Sequence, residues 1–351
     1  MPPVPVLLVT GFLGSGKSTL LNHLLRDPGM AQTAVIINEF GDVAIDHLLV
    51  ESAIENAVVL QSGCICCTVR GDLVDTLDDL DAKVRQGLLP PFTRVAIETT
   101  GLADPAALVH TFLTERSLVE RFVLRAVVTT VDAVNGAGQL DDFAEARHQV
   151  ALADILLLTK ADIAPAETTV ALRARLAAMN PGAALVPVVE GAISHKDLFD
   201  LVPDAPARAQ DDVLRWLNEQ AFASTRAGSQ SPPHDTDIRA FAVTLDRPVA
   251  REALRLWLRA LLSLRGGDLL RMKGIVALAG EETPLVVHAV RELLHPPVRL
   301  LAWPSEDHST RLVVIARHIE PAVLQASLDI LVGIPAEDAR KAPSAGLTPP
   351  S

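Results

Sequence analysis

The stretch VPVLLVTGFLGSGKSTLLNHLL, residues 4–25, decides the fold. It opens on a short apolar run rich in Val and Leu, of the length and texture expected for a buried strand of a parallel sheet. Gly11-Phe12-Leu13-Gly14-Ser15-Gly16-Lys17-Ser18 then fits the pattern G-x-x-x-x-G-K-[ST], and TLLNHLL continues as a helix. Strand, glycine loop and helix in this order form a phosphate cradle. The glycines let the backbone N–H groups of Gly11, Gly14, Ser15 and Gly16 turn inward at a helix N-terminus, where the helix dipole favours an anion. Lys17 is placed to neutralise the β- and γ-phosphates, and the Ser18 hydroxyl to ligate Mg²⁺. Thr19, in the first helical turn, is counted with these nucleotide-binding residues.

Outward from this motif, short apolar runs alternate with amphipathic segments. The runs fall at residues 4–10, 33–38, 58–60, 95–98, 124–131, 155–159 and 184–188, with helical patterns at 17–26, 72–85, 105–114, 143–152 and 167–179. Strands alternating with helices predict a doubly wound α/β domain, a P-loop NTPase with a mostly parallel sheet. Near Pro203 the texture changes to PDAPARAQ, a short helical pattern through Trp216, and then STRAGSQSPPHDTD, which reads as a linker. A second unit begins with the alternating strand IRAFAVTL at Ile238 and is less regularly interleaved, which predicts a smaller C-terminal α+β domain. The expected layout is a nucleotide-binding domain over 1–200, a linker over 201–237, the second domain over 238–334 and a disordered tail over 335–351.

Two further motifs extend the nucleotide site. In RVAIETTGLADP a hydrophobic strand ends in Glu98 and is followed by Thr99, Thr100 and Gly101. An acid at the end of a strand beside the P-loop either holds Mg²⁺ through water or polarises the attacking water, and Gly101 can offer its N–H to the γ-phosphate. Lys17, Glu98 and Gly101 are therefore the expected catalytic residues. The strand ILLL runs into Thr159-Lys160-Ala161-Asp162. An Asp carboxylate there can accept from guanine N1–H and the 2-amino group, donors that adenine lacks at those positions, while a Lys stem packs on the base. Thr159, Lys160 and Asp162 thus select GTP.

The chain has three cysteines, Cys64, Cys66 and Cys67, all within Gly63-Cys64-Ile65-Cys66-Cys67-Thr68. Thiolates at this density form a soft ligand cluster suited to Zn²⁺ and other borderline ions. Three neighbouring thiols do not comfortably close one tetrahedron, so two of them plus a group from elsewhere are expected. The other reading of the cluster is a thiol redox switch. Asn38-Glu39-Phe40-Gly41-Asp42 follows the second strand, where a mobile switch would lie, and Glu39 and Asp42 can join either the Mg²⁺ or the thiolate site. Of the scattered histidines, His148, His195 and His234 draw attention, but none is assigned as a ligand.

A formal net charge of −12 repels phosphate backbones. With 3% aromatic residues and no Tyr, base-stacking platforms are also absent, so nucleic acid is not an expected partner. The opening MPPVPVLLVTG lacks a basic n-region, and no apolar run approaches the length of a membrane span. Clustered, odd-numbered cysteines do not make a disulfide framework. A cytoplasmic protein without a membrane partner is expected.

Together GFLGSGKSTLLNHLL, INEFGDVAID, GCICCTVRGDL, ETTGLADP and TKAD resemble the CobW-type GTPases, which belong to the same class of P-loop proteins as the urease and hydrogenase maturation GTPases. The resemblance continues into the second domain through LLRMKGIVALAG, Trp303 and RLVVIAR. It implies a metallochaperone in which GTP and Mg²⁺ favour a metal-loaded form and hydrolysis releases the ion to a client metalloprotein. By position it makes Cys64, Cys66 and Cys67 the metal motif, Glu39 a switch carboxylate and Glu98 the acid on the Mg²⁺ side. Zn²⁺ is the expected cargo ahead of Co²⁺, whose affinity at such a site is lower. A nucleotide-dependent homodimer is a further expectation from this class. Two departures stand out: Thr159 replaces the more usual Asn, and the linker lacks the His-rich run seen in many members, retaining only His234-Asp235.

Overall fold

The computed structural model of the protein describes residues 3–37, 58–61, 70–201 and 238–332. The chain forms two compact units, Met1–Ala240 and Phe241–Ser351, the division falling within the first strand of the second sheet, which is described with the second unit.

In the first unit β1 (Val4–Gly11) leads through the glycine loop into α1 (Lys17–Leu25). There follow β2 (Thr33–Ile37), β3 (Val58–Gln61), α2 (Arg70–Arg85), β4 (Arg94–Glu98), α3 (Ala106–Thr114) and the short α4 (Arg116–Val119). The unit continues through β5 (Phe122–Asp132), α5 (Gly136–Asp142), α6 (Ala144–Leu152), β6 (Ile155–Thr159), α7 (Ala166–Met179), β7 (Ala184–Pro187) and α8 (His195–Asp200). The strands lie in the order β3-β2-β4-β1-β5-β6-β7, and all neighbouring pairs are parallel.

The run ILLL shows why so apolar a strand is needed. Side chains of a strand alternate between the two faces of the sheet, and here both faces are covered. Ile155 and Leu157 pack with Leu7, Val9 and Leu20 on the α1 side, while Leu156 and Leu158 pack with Leu172 and Leu176 of α7 on the other. All four are fully buried, and each stabilises the fold by roughly 1.5–3 kcal/mol relative to exposure. The sheet is double-sided because α1 carries the chain from β1 past β4 to β2, whereas β5 returns on the opposite flank of β1. The order thus reverses at the carboxyl end of β1, the position where open α/β sheets bind their ligands.

The second unit contains β8 (Ile238–Leu245), α9 (Arg251–Arg265), β9 (Leu269–Val276), β10 (Leu285–Val290), the two-residue β11 (Leu293–Leu294) and β12 (Val298–Arg299), β13 (Thr310–Arg317) and α10 (Pro321–Val332). The sheet order is β11-β10-β9-β13-β8, with β12 beside β10, and β9 pairs antiparallel with both β10 and β13. Helix α9 buries Leu254, Trp257, Leu258, Leu261 and Leu262, the i, i+3, i+4 stripe of an amphipathic helix. These join Met272, Val287, Leu312, Val314, Leu324 and Leu328 in one core. The Trp257 indole donates to Ser327 Oγ at 3.0 Å, tying α9 to α10.

Candidate functional site

The carboxyl ends of four neighbouring strands meet at one edge of the parallel sheet: Gly11 of β1, Glu98 of β4, Asp132 of β5 and Thr159 of β6. The loop from Gly11 to Gly16 turns there. Gly16 caps α1 at φ 94°, a left-handed conformation that residues with a Cβ rarely adopt. Lys17 is buried, and its Nζ donates back to the carbonyls of Gly11 at 3.0 Å and Phe12 at 3.3 Å. The ammonium is therefore held across the mouth of the loop by carbonyls that an incoming phosphate can replace.

Ser18 Oγ donates to Glu98 Oε1 at 2.8 Å, so the strand acid predicted from ETTG meets the hydroxyl predicted from GKS. Glu98 is only 6% exposed. A hydroxyl and a carboxylate at this separation suit Mg²⁺, whose cis ligands at 2.0–2.1 Å lie about 2.9 Å apart. Next along the chain, Thr99 is fixed by its N–H to Val9 O at 2.9 Å and by its hydroxyl to Thr10 Oγ1 at 2.8 Å. Gly101 lies against the loop so closely that a Cβ would come within 2.7 Å of Leu13 N and 2.8 Å of Leu13 Cα.

On the other flank Thr159 Oγ1 donates to Ser15 O at 2.8 Å and to Val131 O at 3.2 Å. Lys160 takes a left-handed φ of 57°. Its Nζ donates to Gly14 O at 2.8 Å and to Asp132 Oδ2 at 2.7 Å. Asp162 is exposed beyond them.

Several partners in this arrangement carry no motif in the sequence. Thr130 Oγ1 shares a 2.7 Å hydrogen bond with Ser15 Oγ. The buried Gln149 donates from Nε2 to Gly101 O at 3.1 Å and Ala103 O at 3.0 Å, clamping the segment after Glu98. Asp132 is the most enclosed charge, at 1% exposed. Burial pushes its carboxyl up, yet hydrogen bonds from Lys160, the Asn135 amide and the Val134 and Asn135 backbone outweigh this and hold it below the usual carboxylate range. Only long-range geometry finds these residues, since each contacts a loop distant in sequence.

Of the histidines singled out from the sequence, His148 pairs through Nδ1 with Asp104 Oδ2 at 3.2 Å. His195 lies near Asp27, whose carboxylate accepts its backbone N–H at 2.7 Å. Both act locally, and among the described residues no group of His, Cys, Asp and Glu is arranged to hold a metal. His234, Glu39, Asp42 and the cysteines Cys64, Cys66 and Cys67 lie outside the described residues. A cavity of about 830 Å³ beside the second half of α1, lined in part by His23, Arg26, Asp27, Ile193 and Asp197, contains none of the glycine-loop residues.

Residues 5–187 match the family described as CobW/HypB/UreG, nucleotide-binding domain, and residues 238–332 match the cobalamin synthesis protein cobW C-terminal domain. The chain is a P-loop GTPase of the CobW/HypB/UreG family. It is 35% identical over 315 residues to the zinc chaperone YjiA of Escherichia coli, covering 90% of this chain and 94% of that protein. It is 32% identical over 365 residues to the zinc chaperone CobW of Pseudomonas aeruginosa, covering 93% of this chain and 90% of that protein. The crystal structure of Zn(II)-bound YjiA GTPase from E. coli superposes with a TM-score of 0.70 at 30% identity, over 94% of this chain and 99% of that one. In CobW-family terms, the Ser18–Glu98 pair and the Thr159–Lys160 struts belong to the nucleotide-binding domain, and the antiparallel sheet to the C-terminal domain.

Proposed function

We propose that this GTPase is a zinc metallochaperone, in which the nucleotide governs a site built on Cys64, Cys66, Cys67 and Glu39 and the ion passes to a client metalloprotein. The observation that carries the reading is the pairing of the strand ends. Ile37 of β2 pairs with Glu98 on one side and with Gln61 of β3 on the other. In the sequence Glu39 follows Ile37 by two residues and Cys64 follows Gln61 by three, so both motifs continue from strand ends that neighbour the acid that meets Ser18. A nucleotide that orders the first segment can thus alter what the second coordinates. The names of the relatives, zinc chaperones in E. coli and P. aeruginosa, support zinc ahead of cobalt as the cargo.

On this reading Ser18 and Glu98 hold Mg²⁺, which when bound neutralises charge developing on the phosphates. Lys17 leaves its loop carbonyls for the β/γ-phosphate oxygens, the Gly101 N–H faces the γ-phosphate, and Glu98 acts from the Mg²⁺ side. Asp162 reads guanine. The domain layout is 1–200 and 238–334, joined by the segment 201–237 and followed by the tail 335–351. Among the described residues no helix is long and apolar enough to cross a membrane, and the proposed location is the cytoplasm. Leu13 and Leu102 are 53% and 50% exposed beside the phosphate loop, which supports a homodimer formed across the nucleotide.

Linkage supplies the test, because GTP must tighten metal binding by the factor that metal tightens GTP binding. A Zn²⁺ competition titration against a chromophoric chelator, with Mg²⁺ and either a non-hydrolysable GTP analogue or GDP, should reveal coupling of about 1–3 kcal/mol. Cys64→Ala or Cys66→Ala should remove it while nucleotide binding persists. Equal affinity in both nucleotide states would leave a GTPase that is not a gated metal carrier. Oxidant-driven thiol loss without stoichiometric metal would favour a redox switch instead.

A further inference from the structure

We infer that Asp132 is a positioning residue for base recognition, acting through Lys160 to hold the guanine-reading loop against the phosphate loop. The inference rests on the reading of Thr159–Asp162 as that loop.

Asp132 ends β5, directly opposite Thr159 at the end of β6 in the parallel register. Its two carboxylate oxygens have different duties. Oδ1 accepts from the backbone N–H groups of Val134 at 2.8 Å and Asn135 at 3.2 Å, closing the turn into α5. Oδ2 accepts from Asn135 Nδ2 at 3.0 Å and from Lys160 Nζ at 2.7 Å. Capping a turn needs only an acceptor, which Asn would supply equally well. A carboxylate 1% exposed costs far more to bury than an amide and is tolerated when paired with a cation. The Lys160 ammonium is that cation, and its side chain is 37% exposed while the acid is sealed beneath it.

Lys160 is therefore held at its tip by two acceptors, Asp132 and Gly14 O, while its own backbone is left-handed. A lysine fixed at both ends presents its methylene stem as a rigid wall, the surface on which a purine base would lie. The same ammonium joins the base side to Gly14 of the phosphate loop, and Thr159 Oγ1 joins it to Ser15 O. Without Oδ2 as a charged acceptor, Lys160 retains a single carbonyl partner on a flexible four-carbon chain, and the wall loosens. Asp132 touches no nucleotide on this scheme; it decides how well Lys160 does.

The decisive experiment is a double-mutant cycle read by binding of fluorescent GDP and GTP analogues, with ATP as competitor. Asp132→Asn keeps an acceptor for the turn but turns an amide toward Lys160. It should lower guanine-nucleotide affinity about tenfold, erode the preference for GTP over ATP, and raise KM for GTP with kcat nearly unchanged. Lys160→Met should produce the same loss, and adding Asp132→Asn to it should change affinity by less than about twofold, since the acid then has nothing to act through. Should Asp132→Asn fail to fold, Asp132→Glu, which moves the charge outward by one methylene, completes the same cycle. Additive losses in the cycle, or a lower melting temperature with base preference intact, would overturn the inference. Asp162→Asn separates the two levels. If it leaves the GTP preference untouched, the loop assignment falls and this inference with it; if it erodes the preference while Asp132→Asn does not, only the inference falls.

Discussion

The two sides of the nucleotide site are built by different means. The phosphate side is mostly local: a contiguous octapeptide supplies the backbone groups, the ammonium and the hydroxyl, and the single segment Glu98–Gly101 meets it through Ser18 and Leu13. The base side is assembled from struts, since Thr130, Thr159 and Lys160 each reach the loop from more than a hundred residues away in sequence. Phosphate recognition is the same for every nucleotide and tolerates a standard part. Base recognition must be tuned to one purine, and on the proposed reading the tuning lies in how firmly a distant strand end is braced.

If that division is right, damage to the two sides should have distinct signatures. The largest effect is expected at Lys17. Lys17→Ala should reduce GTP turnover by roughly 10²–10³-fold and weaken triphosphate binding, yet leave the relative affinity for guanine and adenine diphosphates unchanged. Steady-state hydrolysis together with diphosphate competition measures both, and unaltered turnover in a folded variant would break the phosphate-side assignment.

Gly101→Ala comes next. The added methyl meets the Leu13 side chain at 2.6 Å and also its backbone N and Cα at 2.7 and 2.8 Å, so the loop or the segment after Glu98 must shift, at a cost of about 1–3 kcal/mol. Hydrolysis should fall more than diphosphate affinity, because Gly101 faces the γ-phosphate on the proposed reading. Equal losses in both would make Gly101 a packing residue alone.

Thr159→Val sharpens the comparison from the other side. It preserves shape but withdraws the hydroxyl from the Ser15 and Val131 carbonyls, for an expected loss of about 1–3 kcal/mol in chemical denaturation. Because Ser15 belongs to the phosphate loop, GTP and ATP should both bind less tightly, unlike the base-selective loss expected at Asp132.

The smallest effect concerns acid. The Asp132 carboxyl lies below its ordinary value of 3.8 in the folded protein, so the stability it contributes is fully present above that value and is lost as pH falls through the lower folded pKa. Asp132→Asn should flatten this acid limb in unfolding titrations below pH 3.8 without altering the curve near neutrality. A variant whose acid limb matches the wild type would show that the ion pair contributes nothing to folding.

The same contrast explains what could be read in advance. The parallel sheet was legible because strands buried on both faces must be continuously apolar, as ILLL is, and helices must separate parallel neighbours. The glycine loop and the acid of ETTG were legible because each demand falls on adjacent residues. Helix α5 was not, since GAGQLDD carries two glycines and only one apolar residue buried deeply enough to mark a face, Leu140. Asp132, Thr130 and Gln149 were equally silent. An acid at a strand end before Ala-Val-Asn reads as a turn cap, and nothing local announces that its second oxygen holds the lysine just past the end of the next strand. His148 and His195 show the converse, being conspicuous in sequence but engaged with Asp104 and Asp27.

The placement of β1 has a consequence for biosynthesis. The central strand β1 leaves the ribosome well ahead of its hydrogen-bonding neighbours β4 and β5, which begin only at Arg94 and Phe122. At bacterial or eukaryotic elongation rates VPVLLVTG waits on the order of ten seconds before either neighbour has emerged. During that interval an apolar strand with both edges unpaired is exposed to solvent and to other nascent chains. A sheet whose middle strand precedes both of its neighbours in the chain thus depends on slow-forming, long-range pairing. Its yield in a cell should respond to translation speed and to trigger-type chaperones more strongly than the stability of the finished fold would suggest.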